Sequence, residues 1–299
     1  MYWGSVRFFK HLILGIIFLL ILIPTIGCAV LGNAYLNLEK EISEKNSSKN
    51  TASDIKPEVV YALELNNNLD KMDYQKKYDN LYGKHVTEYK TEMPKTVYLT
   101  FDDGPSINTE QILDILKELQ VHATFFVIYK NDAKSRAIYK RIIDEGHTIG
   151  VHSTCHEYSI IYQSVEAYLD DFATTALLLE EVTGVKPTIF RFPGGSINAY
   201  NHTIYQELIA EMLRRGYTYY DWNVASSDTS TNINVDTITN NVMNGVHKKE
   251  KAIVLMHDSY SKTATVAAIP KIVRNLQVEG YQFANLDNTI KPICFSYIN

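Results

Sequence analysis

Residues 97–105 read VYLTFDDGP, an apolar run that ends in two adjacent carboxylates and a Gly-Pro pair. The run has the composition of a buried strand, and Gly104-Pro105 ends it immediately after Asp102 and Asp103. An Asp-Asp-Gly-Pro turn is common by itself, but the apolar run before it favours a site at the end of a strand. Neighbouring strand residues point apart, so one carboxylate can bind a metal ion while the other accepts a proton.

Six more extended runs follow this one, and helical patterns lie between them. The extended runs are 124–128, 148–152, 188–192, 217–222, 253–257 and 282–286. The helical faces are Ile112, Ile115, Leu116 and Leu119; Val165, Leu169, Phe172, Ala176 and Leu179; and Ile269, Ile272, Val273 and Leu276. Strands that alternate with helices predict an α/β fold with a parallel sheet, and about seven units in roughly 200 residues favour a barrel. Each polar motif then lies at the carboxyl end of a strand, where barrels build their active sites.

His152 and His156 are spaced so that one helical turn would bring both imidazoles to the same side. With Asp103 they supply two nitrogens and one carboxylate, a set that leaves positions on a divalent ion open to water. An H-x₃-H pair is more often two unrelated surface histidines. We therefore treat the metal site as a hypothesis that needs all three residues together.

Two further motifs carry polar groups that could act on a substrate. Arg191 precedes Phe-Pro-Gly-Gly, and its planar guanidinium suits a bidentate contact with Asp102. Gly194 would let a backbone N–H approach a ligand closely, as an oxyanion hole requires. His257 ends the run Leu-Met-His-Asp and could protonate a leaving amine. An ordinary turn and a structural histidine are the alternatives for these two motifs.

Five motifs in this order resemble the polysaccharide deacetylase family, also called NodB-homology or carbohydrate esterase family 4 enzymes. They are TFDDGPS at 100–106, HSTCH at 152–156, RFPGGS at 191–196, DWN at 221–223 and LMHD at 255–258. The resemblance covers about residues 94–290. It implies a distorted (β/α)₇ barrel and the removal of acetate from an N-acetylated amino sugar.

The resemblance also implies a role for each matching residue. Many family members carry a bulky aromatic residue where this chain has Gly194, so a wider substrate cleft is expected here. His257 is expected across the barrel from Asp102. The implied roles are Asp102 as catalytic base; Asp103, His152 and His156 as ligands of one divalent ion, zinc or a similar ion such as cobalt; Arg191 as the partner of Asp102; His257 as general acid, tuned by Asp221; Gly194 as oxyanion donor; and Trp222 and Leu255 as walls of the acetyl pocket.

The N-terminal region predicts a membrane anchor. No charged residue occurs from Leu12 to Leu31, a length that spans a bilayer as a helix, while Arg7 and Lys10 precede it. The predicted organisation is a cytoplasmic tail (1–11), a transmembrane signal anchor (12–31), an extracytoplasmic stalk (32–93), the catalytic domain (94–290) and a C-terminal tail (291–299). Lipoprotein processing at Cys28 and signal-peptide cleavage are the two alternatives.

Charge and location narrow the class of partner. The chain has a net charge of −5, and the part beyond the anchor carries about −7, so a general nucleic-acid binder is excluded. An anchored domain would face cell-wall polysaccharide, with peptidoglycan as the expected substrate and chitin oligomers or poly-N-acetylglucosamine as alternatives. A non-catalytic glycan-binding protein and a non-haem iron oxygenase are the rival classes. The sequence does not set the oligomeric state.

Overall fold

The computed structural model describes residues 72–295, which form a parallel sheet with helices between its strands. The strands are β1 (Thr96–Asp102), β2 (Thr124–Ile128), β3 (Thr148–Ser153), β4 (Ile189–Phe190), β5 (Thr218–Tyr219), β6 (Val224–Ala225), β7 (Lys251–His257) and β8 (Gln282–Phe283). The helices are α1 (Asp73–Lys76), α2 (Ile107–Leu119), α3 (Ala133–Asp144), α4 (Tyr158–Ile161), α5 (Val165–Thr183), α6 (Tyr205–Arg214), α7 (Val235–Val246) and α8 (Thr263–Val278), with a short 3₁₀ helix at Asp79–Leu81.

The strands pair in the order β5-β4-β3-β2-β1-β7-β6, and β8 pairs with the first residues of β1. A flat sheet would hold the end strands β5 and β6 about 29 Å apart, given strand spacings of about 4.8 Å. Yet only residues 220–223 connect them, and five Cα steps reach at most about 19 Å. The sheet must therefore curl until its two ends approach each other.

The predicted alternation of strands and helices is confirmed, since each of the seven extended runs contains a strand. The closed barrel is confirmed only in part, because β5 and β6 are not paired within residues 72–295 and the sheet remains a curled, open one. The short strand β6 was not predicted, since two residues carry no periodicity. This α/β architecture also differs from the β-jelly roll that we associate with the iron oxygenase alternative.

Strand β1 lies at the centre of the sheet, and all seven of its residues are buried. Strand β7 pairs with β1 along its whole length, so that Asp102 lies opposite His257 in register. The expectation that His257 stands across the barrel was wrong, because the seventh strand of the chain inserts beside the first. The end of β1 thus pairs with the ends of two neighbours, since Asp102 lies opposite Phe126 of β2 and His257 of β7.

The helices cover the sheet with the faces that the sequence predicts. Ile112 and Leu116 of α2 are buried, and Ile115 and Leu119 pack against the same core. The predicted faces of α5 and α8 are buried as well. Apolar burial of this kind stabilises the domain without disulfides, and Cys155 and Cys294 are free as expected.

Residues before β1 pack against the domain from Met72 onward. The buried Arg215 donates hydrogen bonds to the carbonyls of Tyr74 and Tyr78, and the side chain of Leu81 is buried. The predicted anchor at 12–31 and most of the predicted stalk lie outside the described residues, and the domain division stays a prediction. Within residues 72–295, no helix combines the length and the apolar character needed to cross a bilayer.

Candidate active site

Asp102 and Asp103 diverge at the end of β1 because the backbone changes conformation between them. Asp103 has a φ of 77°, in the left-handed region that non-glycine residues rarely adopt. Such strain is typical of functional sites. Both carboxylates line a cavity of about 310 Å³ at the carboxyl edge of the sheet. The two carboxylates therefore lie in different environments, as predicted.

Asp103, His152 and His156 form a cluster, as predicted. Oδ1 of Asp103 lies 3.5 Å from Nε2 of His152 and 3.4 Å from Nε2 of His156. The expected helical turn between the histidines was wrong, since His152 belongs to β3 and His156 has a φ of 55° in the loop that follows. Asp171 of α5 holds this loop by accepting hydrogen bonds from Ser153 Oγ and from backbone N–H groups, a support that the sequence pattern did not reveal.

The cluster has the donors that a divalent ion requires. Nδ1 of His152 lies 2.8 Å from the Arg191 carbonyl, which can only accept, so Nδ1 carries the proton and Nε2 offers a lone pair. Burial lowers the pKa of His152, which favours the neutral form that binds metals. Oδ1 of Asp103 is buried without a hydrogen-bond partner among the described residues. Zinc binds N and O ligands at about 2.0–2.2 Å, so ligands of one ion lie roughly 3–3.5 Å apart, as observed here. The residues therefore fit a divalent ion.

Arg191 holds Asp102 from below the cavity. Its side chain is fully buried, and Nη1 donates to Oδ1 of Asp102 over 2.9 Å. The contact is not bidentate as expected, because the other N–H groups donate to Thr100 Oγ1 and to the carbonyls of Tyr220 and Asp221. The guanidinium is fixed on all sides and leaves Oδ2 of Asp102 directed towards the cluster, 4.0 Å from His152 Nε2.

His257 pairs with Asp228, a residue that the sequence analysis missed. Nδ1 of His257 lies 2.7 Å from Asp228 Oδ1, and the His257 backbone N–H donates to Oδ2 of the same carboxylate. Burial alone would lower the pKa of His257, but the Asp228 hydrogen bond and the charges of Asp102 and Asp228 outweigh it and raise the pKa. Asp221, which the resemblance implied would tune His257, is not its hydrogen-bond partner. The only hint of Asp228 was a carboxylate in the polar run 226–230.

Asp221 instead fixes the glycine loop. Its carboxylate accepts hydrogen bonds from the backbone N–H and the hydroxyl of Ser196, and from the backbone N–H of Phe295. Burial raises the pKa of Asp221, and these hydrogen bonds oppose the shift. Gly194 and Gly195 precede Ser196 with φ values of 75° and 87°, which glycine adopts without strain. Asp221 therefore orients the loop that carries the predicted oxyanion donor.

The remaining predicted residues line the same cavity. Gly194, Trp222 and Leu255 face it together with the metal cluster and His257. The ring of Phe295 packs edge-on against Trp222 at a centroid distance of 4.8 Å, so residues of the predicted C-terminal tail support this wall. Tyr158 lies directly beside Gly194, and the expected wider cleft stays a prediction.

Asp258 couples the first and last motifs beneath the cavity. Its carboxylate accepts a hydrogen bond from Thr109 Oγ1, and its backbone N–H donates to the Asp102 carbonyl. A Cβ on Gly104 would lie 2.2 Å from Asp258 Oδ2, so the glycine is required for this contact. Burial raises the pKa of Asp258 to about 7. Asp258 does not line the cavity, so its contribution is structural.

Comparison with known proteins supports the same interpretation. The family model described as polysaccharide deacetylase matches residues 89–213. A peptidoglycan-N-acetylglucosamine deacetylase of Bacillus cereus is 33% identical over 194 residues, which cover 63% of this chain and 68% of the relative.

Solved structures agree with the observed fold. The catalytic domain of a peptidoglycan N-acetylglucosamine deacetylase from Eubacterium rectale has a TM-score of 0.67 at 34% identity, covering 72% of this chain and 98% of that one. The polysaccharide deacetylase Bc1974 from Bacillus cereus has a TM-score of 0.58 at 32% identity, covering 64% and 92%. The chain therefore belongs to the polysaccharide deacetylase family and is an enzyme of that family.

Proposed function

We propose that this protein is a metal-dependent N-deacetylase that removes acetyl groups from the N-acetylglucosamine of peptidoglycan. The observation that carries the proposal is the convergence of a three-residue cluster and two residue pairs on one cavity. They are the metal cluster with its unpartnered Asp103 oxygen, the Asp102–Arg191 pair and the His257–Asp228 pair. A glycan-binding protein would not need a base, an acid and a metal cluster together.

The geometry assigns each residue a part in amide hydrolysis. A divalent ion held by Asp103, His152 and His156 would make a water acidic and polarise the acetyl carbonyl. Asp102 accepts the proton of the attacking water, and Arg191 keeps its carboxylate oriented. The backbone N–H of Gly194 stabilises the developing negative charge on oxygen. His257 donates a proton to the departing amine, and Asp228 favours the imidazolium that must do so.

Two arguments support peptidoglycan as the substrate and the outer face of the membrane as the location. The relatives of Bacillus cereus and Eubacterium rectale are named peptidoglycan-N-acetylglucosamine deacetylases. The uncharged run at 12–31, preceded by Arg7 and Lys10, has the length and flanking charge of an anchor with an extracytoplasmic C-terminal part. An anchored enzyme would meet the cell wall directly.

Acetate release from purified peptidoglycan, chitin oligomers and poly-N-acetylglucosamine tests the substrate. We expect peptidoglycan to give the highest kcat/KM, and a chelator to abolish activity until zinc or cobalt is restored. Faster acetate release from another polymer would make that polymer the preferred substrate. No acetate release from any of the three would refute the proposed function. Protease accessibility on intact cells tests the location. If the mature protein begins at a lipid-modified Cys28, it is a lipoprotein and the prediction of a transmembrane anchor is wrong.

A further inference from the structure

Tyr158 fills the space that Gly194 leaves open. A Cβ on Gly194 would lie 3.1 Å from Tyr158 Oη and 3.3 Å from Cε2 and Cζ of the same ring, all closer than ordinary van der Waals contact. A side chain at position 194 would therefore displace the ring. The two positions are 36 residues apart in the chain, yet the small residue at one permits the large residue at the other.

The ring of Tyr158 separates the cavity from a groove beside it. Helix α4 begins at Tyr158, two residues after His156, and the two rings lie 5.4 Å apart. Tyr158 and His156 line both the cavity and the groove, whose other walls are Glu157, Ser159 and Tyr200. The groove therefore continues from the cavity in which the acetyl group would react.

Tyr200 forms the outer end of this aromatic wall. Its ring packs against Tyr158 at 5.1 Å and nearly perpendicular, while 58% of the side chain remains exposed. Its backbone N–H donates to Asn198 Oδ1, and Asn198 Nδ2 donates to the carbonyls of Gly195 and Pro193. The backbone that carries this exposed ring is thus tied to the glycine loop, and the ring itself packs against Tyr158. Such preorganisation reduces the entropy that a ligand would lose on binding.

We propose that Tyr158 and Tyr200 form a binding subsite for the sugar unit next to the one that loses its acetyl group. An aromatic ring with a polar edge offers an apolar face to the C–H groups of a pyranose and a hydroxyl to its polar rim. The subsite favours a chain of sugars over a single sugar. This inference rests on the proposed function, since it places a glycan in the adjacent cavity.

Kinetics of the full-length, zinc-loaded enzyme on N-acetylglucosamine oligomers of one to five units test the subsite. We expect Tyr158→Ala to lower the ratio of kcat/KM for the pentamer to that for the monomer by about tenfold, mainly through KM. That change corresponds to about 1.4 kcal/mol. Tyr158→Phe keeps the ring and loses only the hydroxyl contact, so it should lower the ratio less than Tyr158→Ala does. Tyr200→Ala should lower the ratio by about threefold, since a single aromatic contact contributes less at an exposed position.

Tyr89→Ala is the matched control, because Tyr89 is about half exposed and lies outside the cavity and the groove. The proposal would be overturned if Tyr158→Ala lost the same fraction of kcat/KM on the monomer and on the pentamer. It would also be overturned if Tyr158→Phe lowered the pentamer-to-monomer ratio as much as Tyr158→Ala. The Kd of the pentamer, measured on chelated wild type and variants, judges the subsite separately from the reaction. Weaker binding in Tyr158→Ala supports the subsite even where no acetate is released, and an unchanged Kd overturns it.

Discussion

The domain holds two pairs of neighbouring histidines at opposite edges of its sheet, and only one pair belongs to a metal cluster. At the carboxyl edge, the rings of His152 and His156 lie 5.1 Å apart. At the amino edge, His122 precedes β2 and His147 precedes β3, with rings 5.7 Å apart. The ring distances alone would rank the two pairs alike.

The difference lies in the free nitrogens and in the third ligand. Asp103 brings one oxygen within 3.5 Å of both Nε2 atoms of the first pair. In the second pair, Nδ1 of His147 already accepts a hydrogen bond from the Ala123 backbone N–H, so its proton is on Nε2. Among residues 72–295, the grouping suited to a metal ion is Asp103, His152 and His156. A third ligand close to the unprotonated nitrogens, here the Asp103 carboxylate, therefore distinguishes the metal cluster from the second pair.

Replacing one histidine of each pair should give the largest difference in metal content and activity. We expect His156→Ala to lose the bound metal and to reduce acetate release by more than about 100-fold, because even a supporting partner of a ligand is worth 10–100-fold. His122→Ala should retain both metal content and activity. Elemental analysis and acetate assays on the two variants check this. A His156→Ala enzyme with full zinc content would remove the metal assignment.

The two adjacent aspartates should then separate metal binding from proton transfer. We expect Asp102→Asn to keep the metal and lose turnover by about 10²–10⁴-fold, the range for a positioned base. Asp103→Asn should lose the metal itself, since Oδ1 of Asp103 is the oxygen between the two imidazoles. Isothermal titration with zinc and measured kcat distinguish the variants. Equal metal loss in both would show that the roles are not divided as the geometry indicates.

Asp228→Asn should move the basic limb of the pH profile. His257 acts as an acid only while it is protonated, and its raised pKa extends the protonated form to higher pH. Without the Asp228 charge the pKa of His257 should fall, so we expect the basic limb to move to lower pH. Activity on the alkaline side should then drop, because a smaller fraction of His257 is protonated there.

Asp221→Asn is the control for this shift, because Asp221 contacts Ser196 and Phe295 and is not hydrogen-bonded to His257. The basic limb should stay in place in that variant, whatever happens to kcat. A shift with Asp221→Asn and none with Asp228→Asn would restore the pairing that the motifs implied.

The sequence predicted the strands from local patterns, and it predicted the metal cluster and the Asp102–Arg191 pair because their residues lie in motifs that resemble the family's. An apolar run fixes where β1 ends, and parallel strands bring their carboxyl ends to one edge. Asp228 could not be predicted, since it follows the two-residue strand β6 in an irregular loop. The pairing of β7 beside β1 and the filling of the Gly194 space by Tyr158 are long-range contacts, and no periodicity in the chain encodes them.

The amino-edge pair, His122 and His147, should affect the stability of the domain and not its catalysis. Burial, together with the charge of His122, lowers the pKa of His147 to about 4, and its Nε2 has no hydrogen-bond partner within residues 72–295. Between pH 6.5 and about 4, the unfolded chain therefore binds a proton at His147 while the folded chain does not. Linkage then requires the free energy of unfolding to fall as the pH falls through this window.

His147→Gln keeps an acceptor for the Ala123 N–H and removes the titration. We expect the chelated wild type to lose on the order of 2 kcal/mol more than chelated His147→Gln between pH 6.5 and 4, at about 1.4 kcal/mol per pKa unit. Urea unfolding at several pH values measures the difference, and chelation removes the contribution of metal binding at the carboxyl edge. If the free energy of unfolding depended on pH in the same way for the two proteins, His147 would be protonated in the folded state over this range. The amino-edge pair would then carry a charge that its packing does not predict.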